Sequence, residues 1–222
     1  MSPRRLFASW LLTLLGGWLA AWLAFRFLEA RVEWLRQSLG AALWWTGAKL
    51  VVWIGPMPWF SRRIPLPPGA LRLGHLRGVP LAFAAGVAWV ALNAAGDALL
   101  GRTPAPALNP GVLSACLVAP FAEELVFRGF AFAWLERLGL GFWKANLACA
   151  FLFALLHLLG WLFLQGAGVV LLAQFAQTAA LGFGFGLARR KGASLWAPVL
   201  VHFANNAWAQ GLLAWLAAQC LW

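Results

Sequence analysis

Apolar positions in this chain run on instead of alternating with polar ones. Runs nearly free of charge fall at about 7–28, 39–58, 79–100, 111–133, 144–165, 167–187 and 195–220. A helix needs roughly 20 such residues to cross about 30 Å of hydrocarbon. The pattern predicts an all-α fold, a polytopic transmembrane helical bundle of about seven spans. Lys49, Pro56 and Pro58 interrupt the second run, which suits an interfacial or re-entrant course as well as a crossing. Polar connections lie at 61–78 and from Gly101 to Pro110, and no internal repeat is present. Residues 1–107 form an N-terminal group of membrane helices without a readable role, and 108–222 form a second unit that carries the candidate chemistry.

Three stretches break the apolar rule inside the later runs: Glu123-Glu124-Leu-Val-Phe-Arg128, Phe153-Ala-Leu-Leu-His157 and His202-Phe-Ala-Asn-Asn206. An ionisable group in mid-membrane costs roughly 2.5–3.5 kcal/mol on insertion scales, so such groups face one another or a watery cavity. The three stretches therefore predict one buried polar site.

Composition agrees with the membrane class: 63% of the 222 residues are hydrophobic and 10% charged, with mean hydropathy +0.79. A soluble domain could not cover its surface with so few polar groups. Sixteen Trp and seventeen Phe suit interfacial belts and lipid-facing surface. The net charge of +11 comes from residues between the runs, not from one basic face, which argues for topology and anionic headgroups and against nucleic acid. With the N-terminus in the cytoplasm, Arg4, Arg5, Arg62, Arg63, Arg72, Arg77, Arg137, Lys144, Arg189, Arg190 and Lys191 lie inside, against Arg26, Arg31, Arg36 and Arg102 outside. The expected location is a bacterial inner (cytoplasmic) membrane, with the first run retained as a helix. Cys116, Cys149 and Cys220 show neither metal spacing nor a disulfide framework and read as small hydrophobes.

That topology places the polar groups at matching depth. Glu123 precedes inner-side Arg137 by roughly 21 Å of helix, and His157 follows Lys144 by about 20 Å. His202 and Asn206 follow Lys191 by about 17 and 23 Å. His75, in the basic loop, is expected to be merely solvated. His202 and Asn206 share a helix face, as do Phe153 and His157, whose ring the phenylalanine would wall or simply pack beside. Glu124 and Arg128, also four apart, would neutralise each other, leaving Glu123 to act as a general base toward water. Pro120, one turn earlier, would loosen the helix backbone there. Gly182 and Gly186 read as a small-residue packing face.

Other intramembrane hydrolases are disfavoured by inventory. His-Glu-x-x-His is absent, Asp97 is the single aspartate, and Ser114 and Ser194 lie near segment ends. Ligand type by itself leaves a metal open.

Glu-Glu-x-x-x-Arg, Phe-x-x-x-His and His-x-x-x-Asn, in this order, resemble the CAAX prenyl protease and bacteriocin-processing (CPBP, Abi-type) family of intramembrane endopeptidases, over about 108–215. The resemblance implies a bundle around a conical, water-accessible cavity and glutamate-dependent hydrolysis of a peptide bond without metal or cofactor. By position, Glu123 would activate water with help from His157, His202 and Asn206 would bind the oxyanion, and Glu124 with Arg128 would brace the site. The substrate would be a membrane-associated protein or peptide, cut in a C-terminal tail or a leader. The competing class is a non-catalytic relative, an immunity or scaffold protein. A small-solute transporter is disfavoured by the lack of inverted repeats.

Overall fold

Ser2 accepts a hydrogen bond from the Arg5 amide, and Pro3 occupies the first helical position, where a missing N–H is harmless. Helix α1 (Pro3–Glu29) starts there and buries one row, Leu6, Trp10, Leu14, Trp18, Trp22 and Phe25. Its other side exposes Leu12, Leu19 and Leu23. A computed structural model describes residues 2–71, 73, 74, 78–99, 101, 103–165 and 168–220, and every regular element among them is helical. His75, Arg72, Arg77 and Arg102, which entered the sequence reading, lie outside the described residues.

After a single turn at Glu33–Arg36, α2 (Ser38–Ala48) continues into a π-helical turn, Lys49–Ile54, and α3 follows at Met57–Arg63. The long helices are α4 (Val79–Leu99), α5 (Pro110–Arg137), α6 (Phe142–Gln165) and α7 (Val169–Gly192), followed by α8 (Trp196–Ala209) and α9 (Leu212–Gln219). Among the described residues, five helices are long and apolar enough to cross a membrane: α1, α4, α5, α6 and α7. The chain is an integral membrane protein with a polytopic helical architecture.

The other two expected spans are helical but broken. The run at 39–58 ends its first helix at Gly55-Pro56, yet Trp53, Met57, Phe60 and Ile64 are buried, so it packs into the bundle. The run at 195–220 breaks at Gly211, whose φ of 76° favours glycine and whose missing side chain lets the Ala105 carbonyl approach. The Gly211 carbonyl there accepts from the Ala107 amide at 3.2 Å.

α6 packs along α7, and α4 along α8. Asn146 donates to the Phe183 carbonyl at 3.0 Å, and Gly186 gives its carboxamide the room to do so. Gly182 faces Ala150 and Phe153 on the same surface, so the glycine pair is a packing face, as expected. The indoles depart from the sequence expectation. Trp34, Trp59 and Trp143 are exposed, but Trp10, Trp18, Trp22, Trp53 and Trp134 are buried in one core cluster with Phe127, Phe130 and Phe153. A bundle of broken helices leaves wide gaps, and flat indoles fill them.

Gly186→Val should force the Asn146 carboxamide out of its place and cost about 1–3 kcal/mol. The expected readout is a lowered Tm of the detergent-solubilised protein, with Gly184→Ala, which has open space, unchanged.

Candidate active site

The site is built around irregularities in α5. Two π-helical stretches, Ser114–Val118 and Leu125–Ala131, flank a short α segment, Ala119–Glu124. In the first, the Ser114 carbonyl accepts from Ala119, five residues on. In that register Ala115 would need the amide of residue 120, which is Pro120 and has none. Asn206 supplies the missing donor: its Nδ2 reaches the Ala115 carbonyl at 2.8 Å. The loosening expected at Pro120 is thus bridged by a side chain from α8.

The next turn carries two adjacent buried acids. Glu124 Oε1 accepts from Arg128 Nη1 at 3.1 Å and lies 2.9 Å from His202 Nδ1. Arg128 Nη2 donates to the Gly182 carbonyl at 2.6 Å, so the absent side chain of that glycine also admits the guanidinium. Phe153 and Phe185 cover Arg128, with centroids 4.7 and 5.2 Å from its central carbon. Phe185 stacks on the His202 ring at 4.6 Å and 18°, and Phe153 lies 4.4 Å from His157. Charge, hydrogen bonds and aromatic walls together fix Glu124, Arg128 and His202 as one rigid unit.

Glu123 points elsewhere. Its Oε2 lies 3.7 Å from His157 Nε2 and 3.8 Å from His202 Nε2, and it has no hydrogen-bond partner within the protein. Both imidazoles are tethered through the other nitrogen: His157 Nδ1 to the Phe153 carbonyl at 2.8 Å, His202 Nδ1 to the Glu124 carboxylate. Carbonyl and carboxylate oxygens only accept, so each Nδ1 carries the hydrogen. Each neutral ring then turns a lone pair toward Glu123. Three acceptors so close need hydrogens between them, from a water molecule, an imidazolium or a protonated carboxyl. The arrangement suits handling of one water molecule.

Glu123 Oε1 faces Lys49 Nζ at 3.7 Å. Both groups and His157 line a cleft of about 270 Å³ walled by Trp18, Trp22, Trp45, Trp53 and Trp161. Lys49 entered the sequence reading only as an interruption of a span. The principle that marked the other groups, a charge within an apolar run, applied to it equally. Its distance in sequence from the three motifs concealed the connection.

Glu123, Glu124, Arg128, Phe153, His157 and His202 therefore come together. Asn206 lies one turn from His202 on α8, with one Nδ2 hydrogen on Ala115 and its Oδ1 accepting from Asn205 at 3.0 Å. Asn205 in turn accepts from Trp89 at 2.8 Å. Ser114 pairs with Thr46 and Ser194 with the Leu73 carbonyl, away from both imidazoles. Asp97 accepts from Trp208. Among the described residues, no three of His, Cys, Asp and Glu are grouped to hold a metal ion.

Comparison with known proteins adds one finding. No curated protein and no solved structure shows significant similarity to the chain. A family model described as Rce1-like, type II CAAX prenyl endopeptidase, matches residues 105–208. The match opens in the loop before α5 and closes near the end of α8, so all three polar motifs fall within it. Through these helices the chain is similar to the Rce1-like family of membrane proteases, which supports the resemblance that the motifs carry.

Proposed function

We propose that this protein is an intramembrane endopeptidase that hydrolyses a peptide bond with water activated by Glu123. The carrying observation is Glu123 Oε2, a buried carboxylate oxygen without a protein partner, set 3.7 and 3.8 Å from two tethered imidazoles at the edge of a cleft. The similarity of residues 105–208 to a protease family supports the same reading. The substrate is a membrane-associated protein or peptide, cut in a C-terminal tail or a leader, with the N-terminus of the enzyme on the cytoplasmic face of a bacterial inner membrane.

The chemistry follows from the tethers. Water donates one hydrogen to Glu123 Oε2 and the other to His157 Nε2, which orients its lone pair toward the substrate carbonyl. As the water oxygen bonds to the carbonyl carbon, its proton passes to Glu123 and the π electrons move to the carbonyl oxygen. His202, carrying a second proton supported by the Glu124 carboxylate, donates from Nε2 to that oxyanion, joined by the remaining Nδ2 hydrogen of Asn206. The oxyanion then collapses, the C–N bond breaks, and Glu123 returns its proton to the leaving nitrogen. No metal or cofactor takes part.

Activity is measurable as peptide termini that appear in membranes of a deletion strain only when the gene is restored. Glu123→Gln should slow their formation by about 10²–10⁴-fold, the usual worth of a general base. His202→Ala and Asn206→Ala should each cost on the order of 10²–10³, as for an oxyanion donor. A Glu123→Gln protein that folds and processes at the wild-type rate would refute the reading. Cellular protection against a bacteriocin that survives loss of both Glu123 and His202 would favour the non-catalytic class instead.

Glu124 and Arg128 brace the site. Arg128→Met leaves a buried acid uncompensated and should destabilise the protein by about 3–5 kcal/mol. Arg128→Met with Glu124→Gln should recover much of that loss in thermal melts.

A further inference from the structure

Two acids and one guanidinium leave the buried cluster one positive charge short, and the missing cation comes from outside the matched stretch. Lys49 stands where α2 widens into the π turn Lys49–Ile54, in the N-terminal part of the chain. Its Nζ lies 3.7 Å from Glu123 Oε1, and its side chain is 14% exposed. The indole faces of Trp18 and Trp53 flank the ammonium, each centroid 5.4 Å away. Trp18 is itself anchored, donating to the Leu156 carbonyl at 3.2 Å beside His157. Trp53 packs edge-on against Phe127 of α5 at 5.7 Å. An ammonium seated between two rings is held by the ring quadrupoles as well as by the carboxylate. The long lysine stem thus ends in a fixed point charge.

From this geometry we infer that Lys49 is a positioning residue for Glu123: it binds Oε1, so that Oε2 is the oxygen turned to the two imidazoles and the water. The inference rests on Glu123 acting as the base. A carboxylate in hydrocarbon pairs with whatever cation it can reach. With Lys49 on Oε1 and Arg128 on Glu124, each acid has its own partner, and Glu123 need not draw its countercharge from an imidazolium. Without Lys49 the nearest countercharge for Glu123 would be an imidazolium, drawing the carboxylate onto one ring and displacing it from the line of attack. A misplacement of about 1 Å costs on the order of 10²-fold in rate. The N-terminal helices thereby acquire a catalytic task, since α1 and α2 present the lysine and its aromatic seat.

The test compares wild type, Glu123→Gln, Lys49→Met and Lys49→Arg in membranes of the deletion strain, read as the rate at which new peptide termini form, with and without added methylammonium. Melting of each purified protein checks folding. Lys49→Met should process about 10–100-fold more slowly. Lys49→Arg should retain more of the rate, as far as a bulkier cation fits. Methylammonium should restore Lys49→Met in a saturable way and leave Glu123→Gln unchanged. Lys49→Met at the wild-type rate, with Glu123→Gln silent, would make the lysine an idle neighbour and end the proposal. Loss of processing in Lys49→Met that neither methylammonium nor arginine repairs would make it a structural strut, which also ends it. Wild-type processing by Glu123→Gln, or no termini that depend on the gene, would instead defeat the hydrolase reading on which the proposal rests.

Discussion

Among the described residues, the buried Glu123, Glu124 and Arg128 each have an opposite charge within 3.7 Å, and the rest of the structure follows from that constraint. Glu124 has Arg128, whose second nitrogen finishes on the Gly182 carbonyl, and Glu123 has Lys49. A single unmatched ion at this depth would cost as much as several good packing contacts. The pairing fixes which helices must touch. Arg128 draws α7 to α5, the Glu124–His202 bond draws α8 to the same turn, and Lys49 draws α2 in from the other side. The glycines of α7, the aromatic walls and the tethered imidazoles are arranged around that demand.

Backbone irregularity is the means by which the acids reach one another. Where lipid supplies no hydrogen bonds, a helix departs from α geometry only if protein groups satisfy what is freed. Three widened turns, at Lys49–Ile54, Ser114–Val118 and Leu125–Ala131, begin at or flank residues of the site. Such turns recur at functional sites because they re-aim side chains without ending the helix. The carbonyl that Pro120 leaves open is claimed by Asn206. Asn206, which our proposal makes an oxyanion donor, thus also holds α8 against α5.

The N-terminal helices serve as more than anchors. They contribute Trp18, Trp22, Trp45 and Trp53 to the cleft beside Glu123 and His157, while α1 and α3 bury Trp10 and Phe60 against Trp134 of α5. The family match begins only at residue 105, so four of the five tryptophans of the wall lie in the stretch the match leaves out. Large flat rings suit this place. They fill the gap between helices that break and widen, and they present apolar surface next to a charged group without competing for it.

Much of this was legible in the chain. Continuous apolar runs determined the all-helical membrane class, because only a helix satisfies its own backbone in lipid. The rarity of charge in those runs singled out Glu123, Glu124, Arg128, His157 and His202, and helical spacing paired Glu124 with Arg128 correctly. What the sequence could not decide was which groups from distant segments would share a point. Periodicity says which face of a helix a residue occupies and nothing about its neighbour across a helix boundary. Lys49, some seventy residues from Glu123, and the Asn206 bridge to the gap at Pro120 depend on how the helices pack. So do the buried tryptophans, whose composition alone fitted a lipid belt equally well. The cost of charge in hydrocarbon told which residues must meet a partner, and only the tertiary structure chose the partner.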